Sequence, residues 1–360
     1  VKIGIVGLPN AGKSTLFNAL TRAGAETGDY AFTTIDPNVA IVSVPDSRLD
    51  QVAAIVGSSD VVHETIQFHD IAGLVPGAAQ GEGLGNQFLA AIRETDAICH
   101  VVRCHASGGV PHPEGRVDPG EDIDLIETEL LAADLEQAER RLERVTKQAR
   151  SGDKEAVAEQ AWLEQVVEAL GAGTPVREVP VPEAAKGAGR RLFALTSKPI
   201  LYVANVDEGV EEVPAAVADH AAGADALAVA ISARIEVELA ELEEEHADEA
   251  AEMRTELGIS ESGLARLIRA AFELLELNQF FTAGEGKEAM AHALRRGSTA
   301  WEAAGEIHTE IQDAFVRAEV VSWKDLVDAG GYAPARDRGL LRTEGRSYVM
   351  ADGDVVTIKV

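Results

Sequence analysis

The chain opens with an apolar run, Val1-Lys2-Ile3-Gly4-Ile5-Val6, that feeds directly into Gly7-Leu8-Pro9-Asn10-Ala11-Gly12-Lys13-Ser14-Thr15. A strand, then Gly-x4-Gly-Lys-Ser, then a helical pattern leaves few folds open. The glycines let backbone N–H groups curl round an anion, and the helix that follows presents its positive end. A lysine at this place puts a point charge on the β- and γ-phosphates of a nucleoside triphosphate, and the next hydroxyl can ligate Mg²⁺. Asn10, Ala11, Gly12, Lys13, Ser14 and Thr15 are therefore the candidate phosphate-binding residues, with Ser14 also a metal ligand.

Around this motif the first 110 residues alternate apolar runs with helical patterns, the mark of βαβ units and a mostly parallel sheet. Strands are predicted at Lys2–Val6, Val39–Val44, Thr65–Asp70 and Ala97–Arg103, with helices at Lys13–Arg22 and Gly85–Glu94. Gly and Pro residues interrupt Ala106–Gly120, which reads as a long loop. From Asp122 to about Gly171, apolar residues recur at spacings of three and four, broken at Ser151-Gly152-Asp153. Two antiparallel helices follow from that pattern. Pro199–Ala204 and Ala226–Ser232 return as buried strands, and residues 261–276 as an amphipathic helix. A different texture begins near Leu277. Strands at Phe280–Ala283, Ala318–Ser322 and Val355–Val360 surround a helix at Ser298–Ile307, the pattern of a small α+β domain.

Composition narrows the function classes. A net charge of −29 argues against coating nucleic acid over the whole surface. The imbalance is local, since residues 277–360 carry 10 basic and 13 acidic side chains against 22 and 48 in residues 1–276. Two cysteines, Cys99 and Cys104, make neither a disulfide framework nor a zinc site. No apolar run reaches the ~20 residues needed to cross a bilayer, and the chain reads as soluble and cytoplasmic.

A second motif supports the first. Asp70-Ile71-Ala72-Gly73 follows the third strand and supplies the DxxG of nucleotide switches. Asp70 reaches Mg²⁺ through water, and the Gly73 amide senses the γ-phosphate. Between the motifs lies Phe32-Thr33-Thr34-Ile35-Asp36, where either threonine could add a magnesium ligand and order its loop. Base recognition falls to the segment after Pro199–Ala204. A guanine-specific site reads Asn-Lys-x-Asp there, whereas this chain reads Asn205-Val206-Asp207-Glu208. The lysine is absent, which disfavours a guanine-only site. Ser232 and Ala233, after the last strand, complete the candidate base pocket.

Taken together, these stretches resemble the YchF subfamily of Obg-like P-loop ATPases. The resemblance extends through Thr34-Ile35-Asp36-Pro37-Asn38, Gly81-Glu82-Gly83-Leu84-Gly85-Asn86, Asn205-x-x-Glu208, Arg317-Ala318-Glu319-Val320 and Asp352-Gly353-Asp354, nearly end to end. It implies a Ras-like P-loop domain over 1–276 with an inserted helical hairpin at about 122–190, and a β-grasp TGS domain over 277–360. It also implies ATP in preference to GTP through Asn205, Val206 and Glu208, with the backbone at Val206 on adenine. It selects Thr34 as the magnesium threonine.

Leu74 stands where Ras-type enzymes place a water-orienting Gln. The resemblance implies that His112, before Gly115-Arg116-Val117-Asp118-Pro119, serves as the catalytic substitute. A neutral imidazole can accept a hydrogen bond from water. Asn10 is similar to the residue that helps hold K⁺ in potassium-assisted relatives. Gln80 stands where some members have Lys, and no catalytic role is carried over to it. The expected function is a slow Mg²⁺-dependent ATP switch acting on the ribosome or another RNA-containing assembly through its TGS and hairpin surfaces. A GTPase of the Obg type and a nucleotide-gated binding module with incidental hydrolysis are the alternatives.

Overall fold

The structure is a computed structural model that describes residues 1–25, 38–71, 84–105, 117–257, 259 and 261–360. β1 (Lys2–Val6) leads through the glycine loop into α1 (Lys13–Ala25). β2 (Val39–Val44), α2 (Ser47–Val56), β3 (Val61–Val62) and β4 (Glu64–Asp70) follow, then α3 (Leu84–Arg93) and β5 (Ala97–Arg103). The long helices α4 (Pro119–Ala149) and α5 (Lys154–Gly171) come next, and short turns with α6 (Ala188–Leu192) bring the chain to β6 (Ile200–Asn205). α7 (Ala215–Gly223), β7 (Leu227–Ile231), α8 (Ala233–Glu245), α9 (Ala247–Glu256) and α10 (Gly263–Leu274) continue it. The remainder comprises β8 (Leu277–Thr282), β9 (Ala289–Arg295), α11 (Ala300–Ile307), α12 (Thr309–Asp313) and β10 (Arg317–Ser322). It ends with α13 (Trp323–Ala329), α14 (Tyr332–Asp337), β11 (Arg342–Glu344) and β12 (Asp354–Lys359).

The chain divides into two compact units, one built largely from Gln67–Ala270 with the first strand and helix, the other from Ile41–Ile66 with Ala271–Val360. Residues 277–360 therefore do not make the second unit alone.

The first sheet has the order β2-β4-β1-β5-β6-β7, and β4, β1, β5, β6 and β7 run parallel. Every residue of β5 and of β6 is buried, which is why both are mostly apolar; the exceptions are His100, Arg103 and Asn205. β1 lies between β4 and β5 although it precedes both in sequence. That reversal of strand order opens a crevice at the carboxyl ends of the strands, where ligands of open α/β sheets bind. The glycine loop leaves β1 at this edge.

The expected hairpin is present as α4 and α5. Asp118 caps α4 by accepting from the Glu121 N–H at 3.2 Å, and Pro119 fits the first helical turn, where no intrahelical donor is needed. Ile123, Ile126, Leu130 and Ala133 pack α4 into the sheet core. Further along, Ala138 and Val145 face Trp162, Leu163 and Val166 of α5 in a separate cluster. Gly152, at φ 81°, makes the reversal, and Asp153 caps α5. Asp134 ties α4 back to the sheet. Its buried carboxylate accepts from Leu195 N–H at 2.9 Å, Thr196 N–H at 2.7 Å and Thr196 Oγ1 at 2.8 Å, just before β6.

The second sheet has the order β11-β10-β12-β8-β9-β3. β8 and β12 are parallel at its centre, and the β8–β9, β10–β12 and β10–β11 pairs are antiparallel. This is a β-grasp arrangement with α11 in the crossover, as the fold expectation had it. β3 extends it at the β9 edge. α2 buries Leu49, Val52 and Ala53 against Phe281, Ala289, Ala291 and Leu326 of the same unit. Arg48, one residue into α2, donates to Asp352 at 2.6 Å.

Candidate nucleotide site

The glycine loop is held in a shape that only certain residues tolerate. Gly7 has φ 153°, and a Cβ there would stand 2.4 Å from the Val101 carbonyl oxygen. Gly12 has φ 100°, and a Cβ there would meet Asn205 Nδ2 at 2.1 Å. Asn10 sits at φ 65°, a left-handed conformation that asparagine accepts more readily than most residues. α1 carries no acidic residue in its first turn, so nothing of its own neutralises the positive end of the helix.

Within this loop Lys13 is buried, and its Nζ donates to the Leu8 carbonyl at 2.8 Å. Burial pulls the Lys13 ammonium below the ordinary lysine range, and the charge of Asp70 partly opposes that shift. Asp70 shows the mirror image: burial raises its carboxyl while Lys13 lowers it. The strand register explains the pairing, since Asp70 lies opposite Ile5 near the end of β1. Ser14, the residue after Lys13, is exposed on the first turn of α1. A serine hydroxyl and an aspartate carboxylate are hard oxygen donors, the chemistry that suits Mg²⁺.

Asn205 ends β6 and holds the loop from the other side. Its Nδ2 donates to the Ala11 carbonyl at 3.0 Å, and its Oδ1 accepts from the Ala233 N–H at 3.1 Å. The Cys104 N–H donates to its carbonyl at 2.9 Å. One side chain thus ties the phosphate loop to the start of α8. Ala11, expected in the phosphate loop, and Ala233, expected in the base pocket, are both buried, and it is their backbone groups that Asn205 engages. Val206 is buried too, and its N–H donates to the Ile231 carbonyl at 3.0 Å.

These elements frame a pocket of about 600 Å³ lined by Asn10, Gly12, Lys13, Ser14, Thr15, Asn205, Val206, Glu208 and Ser232. Nine residues expected from sequence to contact nucleotide or metal therefore meet in one place. His105, Asp207, Arg234 and Ile235 also line it, and none of these was anticipated. Arg234 and Ile235 follow directly on Ser232-Ala233, so extending the base-pocket reading by one helical turn would have found them. Asp70 is half-buried and lines a separate, smaller cavity with Asn38, His69 and Thr95. Thr34, Gly73, Leu74 and His112 lie outside the described residues.

Residues 2–147 match the MMR_HSR1 family model, described as 50S ribosome-binding GTPase. Residues 277–360 match the YchF-GTPase_C model, described as a protein of unknown function. The ribosome-binding ATPase YchF of Bacillus subtilis is 49% identical over 98% of this chain and 97% of its own length. The Escherichia coli O157:H7 protein of the same name is 47% identical over 99% and 98%. Among solved structures, the Schizosaccharomyces pombe YchF GTPase superposes with a TM-score of 0.86 at 33% identity, covering 100% of this chain and 97% of that one. With identity at this level from end to end, and the Ras-like P-loop sheet and β-grasp sheet both in place, the chain belongs to the YchF family.

Proposed function

We propose that this chain binds ATP with Mg²⁺, hydrolyses it slowly, and uses the nucleotide state to control binding to the ribosome in the cytoplasm. Its relatives' names, ribosome-binding ATPase YchF, support the partner and the activity. The observation that carries the choice of base is the backbone at Val206. Its N–H is committed to Ile231, so the group it can offer a base is its carbonyl, an acceptor. Adenine presents an amino donor at C6 where guanine presents an oxygen, and an acceptor facing an acceptor is repulsive. Val206 and Ile235 add apolar surface to the same pocket, suited to the flat face of a purine.

In this reading Lys13 exchanges the Leu8 carbonyl for phosphate oxygens, and α1 directs its N-terminus at them. Ser14, Thr34 and Asp70 are the residues that would hold Mg²⁺, which would neutralise charge on the β- and γ-phosphates. Asn10 is the residue proposed to assist K⁺. Leu74 carries no hydrogen-bonding group, which supports slow turnover, and His112 is the proposed water-orienting residue. The domain limits proposed for this activity are 1–276, including the hairpin, and 277–360.

Equilibrium binding of non-hydrolysable ATP and GTP analogues tests the base preference. Tighter binding of the GTP analogue would refute it. Sedimentation of ribosomes with and without the ATP analogue tests the switch, which fails if the bound fraction is the same in both. Replacing His112 by Ala should lower turnover while leaving ATP affinity nearly intact.

A further inference from the structure

Charge on this chain runs against the composition at the closed end of the α4–α5 hairpin. Residues 140–154 hold six basic and two acidic side chains, whereas the rest of the chain holds 26 and 59. In so acidic a protein most cations should find carboxylates, and two of the six do. Arg141 bonds Glu159 at 2.7 Å, and Arg140 bonds Glu136 at 2.9 Å. Arg144, Lys147, Arg150 and Lys154 are exposed, and among the described residues none of the four has an ion pair. The nearby Asp153 spends its carboxylate on the Glu155 and Ala156 N–H groups as the cap of α5.

Complementing the negative end of α4 would need a cation or two in its last turn. Four cations, three of them outside that turn, exceed it. Their placement also matters. α4 leaves the sheet core after Ala133, and at 1.5 Å per residue Lys147 stands about 20 Å further along the axis. That is roughly two Debye lengths at physiological salt, so the acidic body is largely screened from the tip. A polyanion at the tip therefore meets chiefly the local charges of the hairpin end, Glu143 and Glu155 among them, rather than the field of the sheet core.

We infer that the hairpin tip is a contact surface for RNA phosphates, with Arg144, Lys147, Arg150 and Lys154 as the cationic residues. The inference rests on the ribosome-binding reading and names the surface and chemistry that reading needs. Contiguous phosphates engage several cations together and release condensed counterions. The dispersed carboxylates of an acidic protein offer less of either, and the absence of an aromatic residue from 140–154 fits backbone contact rather than base stacking.

The test is titration of a short RNA duplex with the full-length protein over a range of salt. Three proteins are compared: wild type, R144Q/K147Q/R150Q/K154Q, and the charge-preserving R144K/R150K. Four phosphate contacts give a slope of log K against log salt of about −3 to −4. In the glutamine variant, binding should weaken by about tenfold or more near 0.1 M salt and the slope should approach zero. The lysine variant should stay within about threefold of wild type. All three should hydrolyse ATP at the same rate, since the tip is far from the pocket.

An unchanged slope in the glutamine variant overturns the inference. So does equal loss in the lysine variant, which would mean that charge is not the determinant. Tip-dependent capture of a polyglutamate peptide but not of RNA overturns it in favour of an acidic protein partner. A wild-type protein that does not hydrolyse ATP refutes the ATPase reading instead, and leaves the salt slope to decide about the tip.

Discussion

Asn205 offers the most discriminating perturbation, because its two hydrogen bonds fix which end of the carboxamide faces which partner. A flipped amide would set Oδ1 against the Ala11 carbonyl and Nδ2 against the Ala233 N–H, two repulsive contacts in place of two bonds. Asn205→Ala leaves a buried carbonyl and a buried N–H unpaired, at ~1–3 kcal/mol each, so the expected loss of stability is about 2–6 kcal/mol. Asn205→Asp is close to isosteric and keeps the acceptor for Ala233. It nevertheless places a carboxylate oxygen against the Ala11 carbonyl and buries a charge. The nearer mimic should therefore be the worse protein at pH 8. Burial and the facing carbonyl raise the pKa of the introduced carboxyl. When protonated it can donate to Ala11, so its penalty is absent below its unfolded pKa and grows as pH rises through its raised folded value. Urea unfolding at pH 8 and pH 5.5, with hydrogen exchange at the Ala233 amide, measures both effects. ATP affinity at pH 8 should follow the same order: wild type, Asn205→Ala, Asn205→Asp. Finding Asn205→Asp as stable as wild type at pH 8, with the Ala233 amide equally protected, would refute the clamp.

Other expectations follow from single contacts. Asp134→Ala removes three buried hydrogen bonds that join α4 to the approach to β6 and should cost roughly 3–5 kcal/mol in urea unfolding. Asp134→Asn, which keeps an acceptor, should cost clearly less. Gly7→Ala puts a Cβ 2.4 Å from the Val101 carbonyl oxygen at φ 153°, so calorimetry should detect loss of ATP binding with a lowered melting temperature. His100 is fully buried, and burial above all lowers its pKa to about 4, with Glu127 opposing the shift and His220 and Lys13 adding to it. A histidine that resists protonation only when folded makes stability fall as pH drops from about 6.5 to about 4, by up to about 3 kcal/mol. His100→Gln should remove that share of the acid slope, and an unchanged difference between pH 7 and pH 4.5 would contradict it.

What could be read from sequence was whatever a local period encodes. β1, β2 and β5 have the bounds their mostly apolar runs predict: β1 and β5 are largely buried on both faces, while β2 alternates and stops before Pro45. The hairpin was legible from spacings of three and four, and its turn from Ser151-Gly152-Asp153. β9 was missed although Ala289, Ala291 and Leu294 are buried along it, since alanine gives a weak strand signal. α2 has an apolar stripe of its own in Leu49, Val52 and Ala53, but no local pattern says that its partners are Phe281 and Leu326. The Arg48–Asp352 bond spans 304 positions and is equally silent in sequence.

The same division runs through the site. Gly7, Gly12 and Lys13 were legible because backbone curvature and charge for a phosphate require those residue types at that spacing. Asn205 was legible as a site residue, but its work was not. Its carboxamide serves Ala11 and Ala233 rather than standing free for a ligand, and the bond to Ala11 crosses 194 positions. With Lys13 resting on the Leu8 carbonyl and Asn205 gripping Ala11, the loop is held at two carbonyls three residues apart by the protein's own side chains. Binding then needs one exchange of partners at Lys13 rather than the ordering of a whole loop, and ordering cost is what pre-organisation removes from an affinity. The proposed base selection and the loop shape would then meet in one short segment, since Val206, whose carbonyl is proposed to face the base, is the next residue after the clamp.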